Sequence, residues 1–350
     1  MKIIFFTHSY PPAIGGVELT VERISRQLRR LGHEVKVITE TPGAHAAAVN
    51  GFPEVEELHV SIHRPFTRLS YWKWMWNHRS EFSTSDVLHF HDYGTFIHWY
   101  FPLRFVVKAP VYAMTFHGFD SWPIRWHDRV FRRISGWCMD VTFGSGSYLK
   151  RYYHHRIDHT YVGAPLRKPT SDGKQGSSSF LFIGRLAEDT LILDVVRCLR
   201  AVTDETGRGC RLDLVGDGPL KTTIMAMASG RLNIHCHGPL SDPCELLADA
   251  GSIIATGLLA VLDAFSFEKP VIVPAFHPLK ADYFSSIPDV AEKSIVCHDL
   301  ASMKKELGRL LVTMESAELA CKIRSAKAYA DTLSWEGIAR LYLHAYESKN

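Results

Sequence analysis

The stretch from Ser252 to Pro274, SIIATGLLAVLDAFSFEKPVIVP, reads as strand, tight turn, helix, turn and strand. An apolar run at Ile253 and Ile254 stops at Ala255, Thr256 and Gly257; a helix-length segment continues to Phe267, and Pro270 opens a second apolar run from Val271 to Val273. A parallel βαβ unit of this kind leaves backbone N–H groups free at the helix N-terminus, where the positive end of the helix dipole suits an anion such as a nucleoside diphosphate. Ala255, Thr256 and Gly257 form that turn, and Asp263 on the same helix offers two acceptor oxygens to a ribose. A plain sheet crossover with a solvated Asp would show the same pattern, so the stretch establishes an α/β fold class before it establishes a ligand.

The same period recurs on either side. Ser179 to Ile183 reads as a strand leading into Gly184-Arg185-Leu186, then a helix to about Thr203 and a strand from Arg211 to Val215 ending in Gly216-Asp217-Gly218-Pro219. Asn233 to His235 is a short strand before His237-Gly238, and Cys244 to Ala250 a short helix. A strand near Ser294 to Cys297 and helices from Leu300 to Glu315 and from Ala317 to Leu333 follow. At the other end, the strand Lys2 to Thr7 enters a loop with Pro11, Pro12, Gly15 and Gly16. A helix from Glu18 to Leu31, stopped by Gly32, and a strand from Glu34 to Thr39 complete a second βαβ unit. The expected organisation is a Rossmann-like domain over residues 1–165, a linker over 166–179 rich in Gly, Pro and Ser, a second Rossmann-like domain over 180–333, and a helix at 334–350 returning toward the first.

With 350 residues, two domains can each bury a full core. Apolar residues at 46% and charged residues at 22% exclude a disordered chain, and a net charge of +3 is too small to point to nucleic acid, although it permits weak attraction to an anionic membrane surface. No apolar run reaches the roughly 18 residues of a membrane span, and MKIIFFTHSY leads directly into a strand rather than a signal peptide. The expectation is a cytoplasmic enzyme with at most peripheral contact to the inner face of the membrane. Cys138, Cys198, Cys210, Cys236, Cys244, Cys297 and Cys321 form no CxxC pair, which fits reduced thiols rather than a disulfide framework or a zinc ribbon.

Several polar and aromatic runs invite a sharper reading. Tyr71-Trp-Lys-Trp-Met-Trp-Asn-His-Arg79 could touch a membrane interface or an acceptor, but a helix packing its tryptophans inward is the simpler expectation. His89-x-His91-Asp92 has metal-ligand residue types on an alternating strand with no evident third ligand, so a polar strand end is expected there. Val111 to Thr115 is a buried strand delivering Phe116-His117-Gly118 at its C-terminal end, where ligands sit in open α/β sheets. Trp137 to Ser145 reads as a further strand, and Tyr148 to Arg156 as a basic helix with a solvated face.

Pro12-x-x-Gly15-Gly-Val-Glu18, Gly32-His-Glu-Val35, Asp86-Val-x-His-x-His91, His117-Gly, Gly184-Arg-Leu186, Val215-Gly-Asp-Gly-Pro219, His237-Gly, Lys269-Pro-Val-Ile272 and Ser334-Trp-Glu336 stand in one order along nearly the whole chain. Together they resemble glycosyltransferase family 4, retaining enzymes of the GT-B fold. The resemblance implies two Rossmann-like domains facing each other across a cleft. It places a nucleotide-sugar donor in the C-terminal domain and a glycan or lipid-linked acceptor in the N-terminal one, with no cofactor and no metal. Carried over residue by residue, it makes His117 and Arg185 catalytic. It assigns Gly184, Arg185, Gly216, Gly218, Thr256, Gly257, Leu258, Leu259 and Asp263 to the donor, and the loop at Gly15 and Gly16 to the acceptor side.

The donor site also departs from the family. Of two glutamates seven residues apart, the first falls on Ala255 and the second on Asp263, so weak sugar selectivity is expected at Ala255. The lysine expected after Gly-Arg-Leu is replaced within Ala187-Glu-Asp-Thr190, which leaves Arg185 to face a diphosphate with no lysine nearby, and Gly163-Ala-Pro165 replaces an Asn-Gly-Val. A non-catalytic sugar-nucleotide or glycan-binding relative and a GT-B sugar-nucleotide epimerase are the alternatives.

Overall fold

The computed structural model describes residues 1–44, 54–58, 67–119, 121–166, 178–313 and 316–349. Apolar strands alternate with helices in two units, Met1–Val162 with Trp335–Asn350, and Gly163–Ser334.

In the first unit the strands are β1 (Lys2–Thr7), β2 (Glu34–Thr39), β3 (Glu54–Glu57), β4 (Val87–His91), β5 (Val111–Phe116), β6 (Val141–Ser145) and β7 (His159–Tyr161). They form a parallel sheet in the order β3-β2-β1-β4-β5-β6-β7. β4 and β5 are buried along their whole length, as expected of parallel strands covered on both faces. Between its strands the unit has the α-helices α1 (Gly16–Arg30), α2 (Thr67–Asn77), α3 (Arg79–Ser83), α4 (Trp126–Trp137) and α5 (Tyr148–Tyr153). α1 buries Val21, Ile24 and Leu28 at three- and four-residue spacing.

The second unit has strands β8 (Ser179–Ile183), β9 (Cys210–Val215), β10 (Leu232–Gly238), β11 (Ser252–Ala255), β12 (Val271–Pro274) and β13 (Ile295–Cys297), in the parallel order β10-β9-β8-β11-β12-β13. Its helices are α6 (Ile192–Thr206), α7 (Lys221–Met225), α8 (Cys244–Asp249), α9 (Leu258–Ser266), α10 (Pro278–Phe284), α11 (Val290–Lys293), α12 (Leu300–Val312) and α13 (Ala317–Asp331). α14 (Trp335–Glu347) is part of the first unit, where the Tyr346 hydroxyl meets His89 Nδ1 at 2.5 Å and the Tyr342 hydroxyl meets Thr115 Oγ1 at 2.6 Å. Both units are doubly wound α/β sheets, the class read from the sequence.

Local expectations are corrected in two places. Trp137 closes α4, and β6 starts only at Val141, because Cys138 to Asp140 turn the chain back into the sheet. In α2 the buried residues are Tyr71 and Met75 rather than the tryptophans: Trp74 stacks on His78 at 3.7 Å, and Trp76 is exposed beneath Arg79. β3 spans Glu54–Glu57, and residues 59–63 beyond it lie outside the described residues. Residues 167–177 of the expected linker also lie outside them.

Candidate functional site

In each sheet the strand order reverses once, between β1 and β4 in the first unit and between β8 and β11 in the second. Ligands of open α/β sheets lie beyond the carboxyl ends of the strands at such points. In the second unit these ends are Gly184-Arg185, after β8, and Thr256-Gly257, a two-residue turn between β11 and α9. Ala255 is the last residue of β11, fully buried and paired with Ile183, so it belongs to the sheet.

The neighbouring turns are laced by main-chain bonds. Gly184 N–H donates to the Val215 carbonyl at 3.0 Å, Leu186 N–H to Asp217 at 2.9 Å and Gly216 N–H to Gly238 at 2.9 Å. Gly216 has φ +143°, and a Cβ there would lie 1.9 Å from the Gly184 carbonyl oxygen; one at Gly218 would lie 2.4 Å from that of Leu186. Both glycines are thus required by the chain's own backbone, which holds the Gly184-Arg185 turn in place.

From that turn Arg185 projects into solvent and donates to Asp189 at 2.6 Å. A lysine does stand nearby, contrary to expectation. Lys280, from α10, is buried, and its ammonium donates to the Thr256 carbonyl at 2.6 Å. Burial, opposed by Asp189 and assisted by the Arg185 cation, pushes Lys280 down to about 8. Tyr283, one turn further along α10, accepts from Leu258 N–H at 2.8 Å through its hydroxyl. The first N–H of α9 therefore already has a partner, and Leu259 follows it in the first turn.

α10 is held in register by His277, whose Nδ1 accepts from Lys280 N–H at 3.2 Å, with Pro278 at the first helical position. A polar residue followed by proline is a helix-start signal, and it could have located this helix and its lysine in the sequence. Asp263 is 1% exposed and accepts from Leu166 N–H at 2.7 Å, so a ribose there would have to displace that bond.

In the first unit, Gly15 is the N-cap of α1 and Gly16 its first residue. His117 follows β5. Its Nε2 shares a hydrogen bond of 2.9 Å with His91 Nδ1, and its N–H donates to Asp92 Oδ1 at 2.8 Å. Burial, and secondarily the Arg132 cation, pushes His117 down to about 3, so the ring is neutral at physiological pH. His89 is bonded at both nitrogens, to Tyr346 and to Thr115, and stacks on His91. Sequence reasoning passed over His8, which follows β1 and meets Glu40 at 2.9 Å. Glu40 also accepts from the Tyr71 hydroxyl. Their separation of 32 positions gives no spacing signal; only the pairing of β1 with β2 joins them.

Residues 14–161 match the family model described as Glycosyltransferase Family 4. A comparison with curated protein sequences found no match. Among solved structures, the chain is similar to Anabaena Alr3699/HepE in complex with UDP and glucose (TM-score 0.77, 15% identity, 99% of this chain and 100% of that one). It is also similar to a glycosyltransferase from Rickettsia africae ESF-5 (TM-score 0.74, 13% identity, 99% and 98%). A variant of S. aureus TarM in complex with fondaparinux, α-GlcNAc-glycerol and UDP gives a TM-score of 0.73 at 10% identity, over 99% and 100%.

Proposed function

We propose that this chain, a glycosyltransferase family 4 protein by its residues 14–161 and GT-B in fold, is a retaining glycosyltransferase that moves a sugar from a nucleotide-sugar donor to a glycan or lipid-linked acceptor without a metal ion. One observation carries the reading. Two cations from different elements, Arg185 after β8 and Lys280 on α10, flank the Thr256–Leu258 turn where the sheet of the second unit reverses its order. A departing nucleoside diphosphate gains negative charge as the bond to the sugar breaks, and fixed cations aimed at it stabilise that charge more than they stabilise the ground state.

Arg185 suits this part because its guanidinium fork matches phosphate oxygens and its partner Asp189 is solvent-exposed, so the pair is readily exchanged. Lys280 adds a second positive charge from a buried position. Together they supply the neutralisation a metal would otherwise supply. Asp263 is assigned to the ribose in exchange for its bond to Leu166, and His117, as a neutral ring, to a hydroxyl of sugar or acceptor. Gly15 and Gly16 are assigned to the acceptor side.

Thermal melting in the presence of UDP-, GDP- and ADP-sugars tests the reading. One nucleotide series should raise Tm, and product formation with that series should survive chelation. Arg185→Ala should keep the unliganded Tm, since the side chain is 74% exposed, while losing both the shift and the transfer. Failure of every nucleotide to shift Tm, or full turnover by Arg185→Ala, would overturn it. Binding without transfer or hydrolysis would instead support a non-catalytic relative.

A further inference from the structure

His8 and Glu40 stand side by side at the carboxyl ends of β1 and β2, each directly after the paired Thr7 and Thr39. His8 Nδ1 meets Glu40 Oε2 at 2.9 Å, and the other carboxylate oxygen accepts from the Tyr71 hydroxyl. Burial raises the Glu40 carboxyl, but the bonds from His8 and Tyr71, with the nearby His8 and His98 rings, outweigh it and hold the group below its ordinary range. An ionised carboxylate only accepts, so in the neutral His8 ring Nδ1 carries the proton and Nε2 is a lone pair. The ring thus has one polarity: donor toward Glu40, acceptor at its far side.

Other elements hold the pair in place. Trp99, fully buried, meets the His8 ring edge-on at 4.8 Å and stacks on Tyr71 at 5.7 Å, so one indole braces both partners of Glu40. The Thr39 hydroxyl donates to the His8 carbonyl at 3.3 Å and Tyr10 N–H to the Thr41 hydroxyl at 2.9 Å, which ties the two strand ends together. Nε2 lies against Gly94, where a Cβ would sit 2.8 Å from it. With φ −60° and ψ −45°, Gly94 has helical backbone that any residue adopts, so the chain path does not call for glycine. What its missing side chain leaves is space beside a ring nitrogen that makes no hydrogen bond among the described residues.

His8 directly follows β1 and Gly94 stands three residues after β4, so Nε2 lies beyond the carboxyl ends of the two strands between which this sheet reverses its order. Ligands of open α/β sheets sit at such points, and the His8 side chain is 43% exposed there. A fixed lone pair recognises an O–H donor; a sugar offers several, whereas a carboxylate offers none. We propose that His8 Nε2 accepts a hydrogen bond from a hydroxyl of the acceptor sugar, with Glu40 as the positioning residue that fixes the tautomer. That the ligand is an acceptor sugar rests on the function proposed above; the polarity of the ring rests on Glu40 alone. Because a site that hydrogen-bonds a hydroxyl rejects an analogue lacking it, His8 selects among acceptors as well as holding them.

Nitrogen NMR of the full chain with isotope-labelled histidine is the test. The probes are the methyl glycosides of glucose, galactose, mannose and N-acetylglucosamine, with no nucleotide present, so a failure here is distinct from a failure of donor binding. His8, assigned by its loss in His8→Phe, should carry its proton on Nδ1, and at least one glycoside should shift its ring signals saturably. In Glu40→Gln the Tyr71 hydroxyl keeps the carbonyl oxygen and the amide N–H turns to the ring. The His8 proton should then move to Nε2 and that glycoside should bind about 10-fold or more weakly. Gly94→Ala should weaken it comparably with the proton still on Nδ1, since only the space beside Nε2 is filled. Unchanged circular dichroism in both variants separates these losses from unfolding. A proton on Nε2 in the unaltered chain, no response of His8 to any of the glycosides, or equal responses in all three chains would overturn the proposal.

Discussion

A lysine ammonium buried against a carbonyl holds its proton less tightly than one in water, and Lys280 accordingly titrates near 8 instead of 10.5. Only its protonated form attracts a diphosphate. Affinity for a nucleoside diphosphate, measured by calorimetry, should therefore fall as pH rises through about 8. Lys280→Met should bind about 10-fold or more weakly at neutral pH, the worth of one charge-assisted hydrogen bond, and should show no such fall. Glycines near the strand ends separate by the same residue-level logic. Gly216→Ala combines φ +143° with a contact of 1.9 Å to backbone, so a loss of about 3 kcal/mol or more in denaturant unfolding is expected. Gly15→Ala meets only the flexible end of Glu18 from an extended φ of −167°, and should cost below about 1 kcal/mol.

Among the elements, α14 does more than cover a sheet. It supplies hydroxyls to a buried chain of hydrogen bonds running from Tyr346 through His89 and Thr115 to Tyr342 and Tyr161. Tyr346→Phe would leave a nitrogen of a fully buried His89 without its partner, which costs about 1–3 kcal/mol. Combined with His89→Phe, the loss should be smaller than the sum of the two single losses, because the second change removes the orphaned group; a double-mutant cycle in urea reads this directly. α10 and α4 were both missed from sequence. α10 is short, and its Pro278 resembles a loop breaker as much as a helix start. α4 has a clear helical period, but tryptophans and arginines around Trp126 to Trp137 do not say which side faces the protein.

Across the whole molecule, acid sensitivity concentrates in the first unit. Burial lowers His89, His91, His117 and His155 below the ordinary 6.5, with His117 and His155 near 3. Below 6.5 the unfolded chain binds protons that the folded one refuses, so this stability is complete above 6.5 and is lost as pH falls toward 3. Each group contributes up to about 1.4 kcal/mol per pH unit within that window. Melting should therefore shift downward from neutral pH toward pH 4, with a shallower slope in His155→Phe, which removes one titrating group. A melting temperature independent of pH over this range would show that these rings are not buried neutral in solution.

Period and punctuation determine much of this protein without any tertiary information. Val271 to Val273 and Ile253 to Ile254 are short apolar runs bounded by turn signals, the pattern of buried parallel strands, and Thr256-Gly257 marks the turn between strand and helix. The doubly wound class and the position of Arg185 at a strand end follow from such local signals. Groups that meet only through folding have no signature in one dimension. Lys280 lies 24 residues from the Thr256 carbonyl it contacts, and Tyr346 lies 257 residues from His89. Whether Asp263 faces solvent or accepts from Leu166, 97 positions away, is likewise decided by packing. So is the outward roll of α4. Side-chain spacing sets the faces of a helix, but the energy that chooses which face to bury comes from distant partners such as Tyr93, Gly118 and Tyr153, which the chain must fold to bring near.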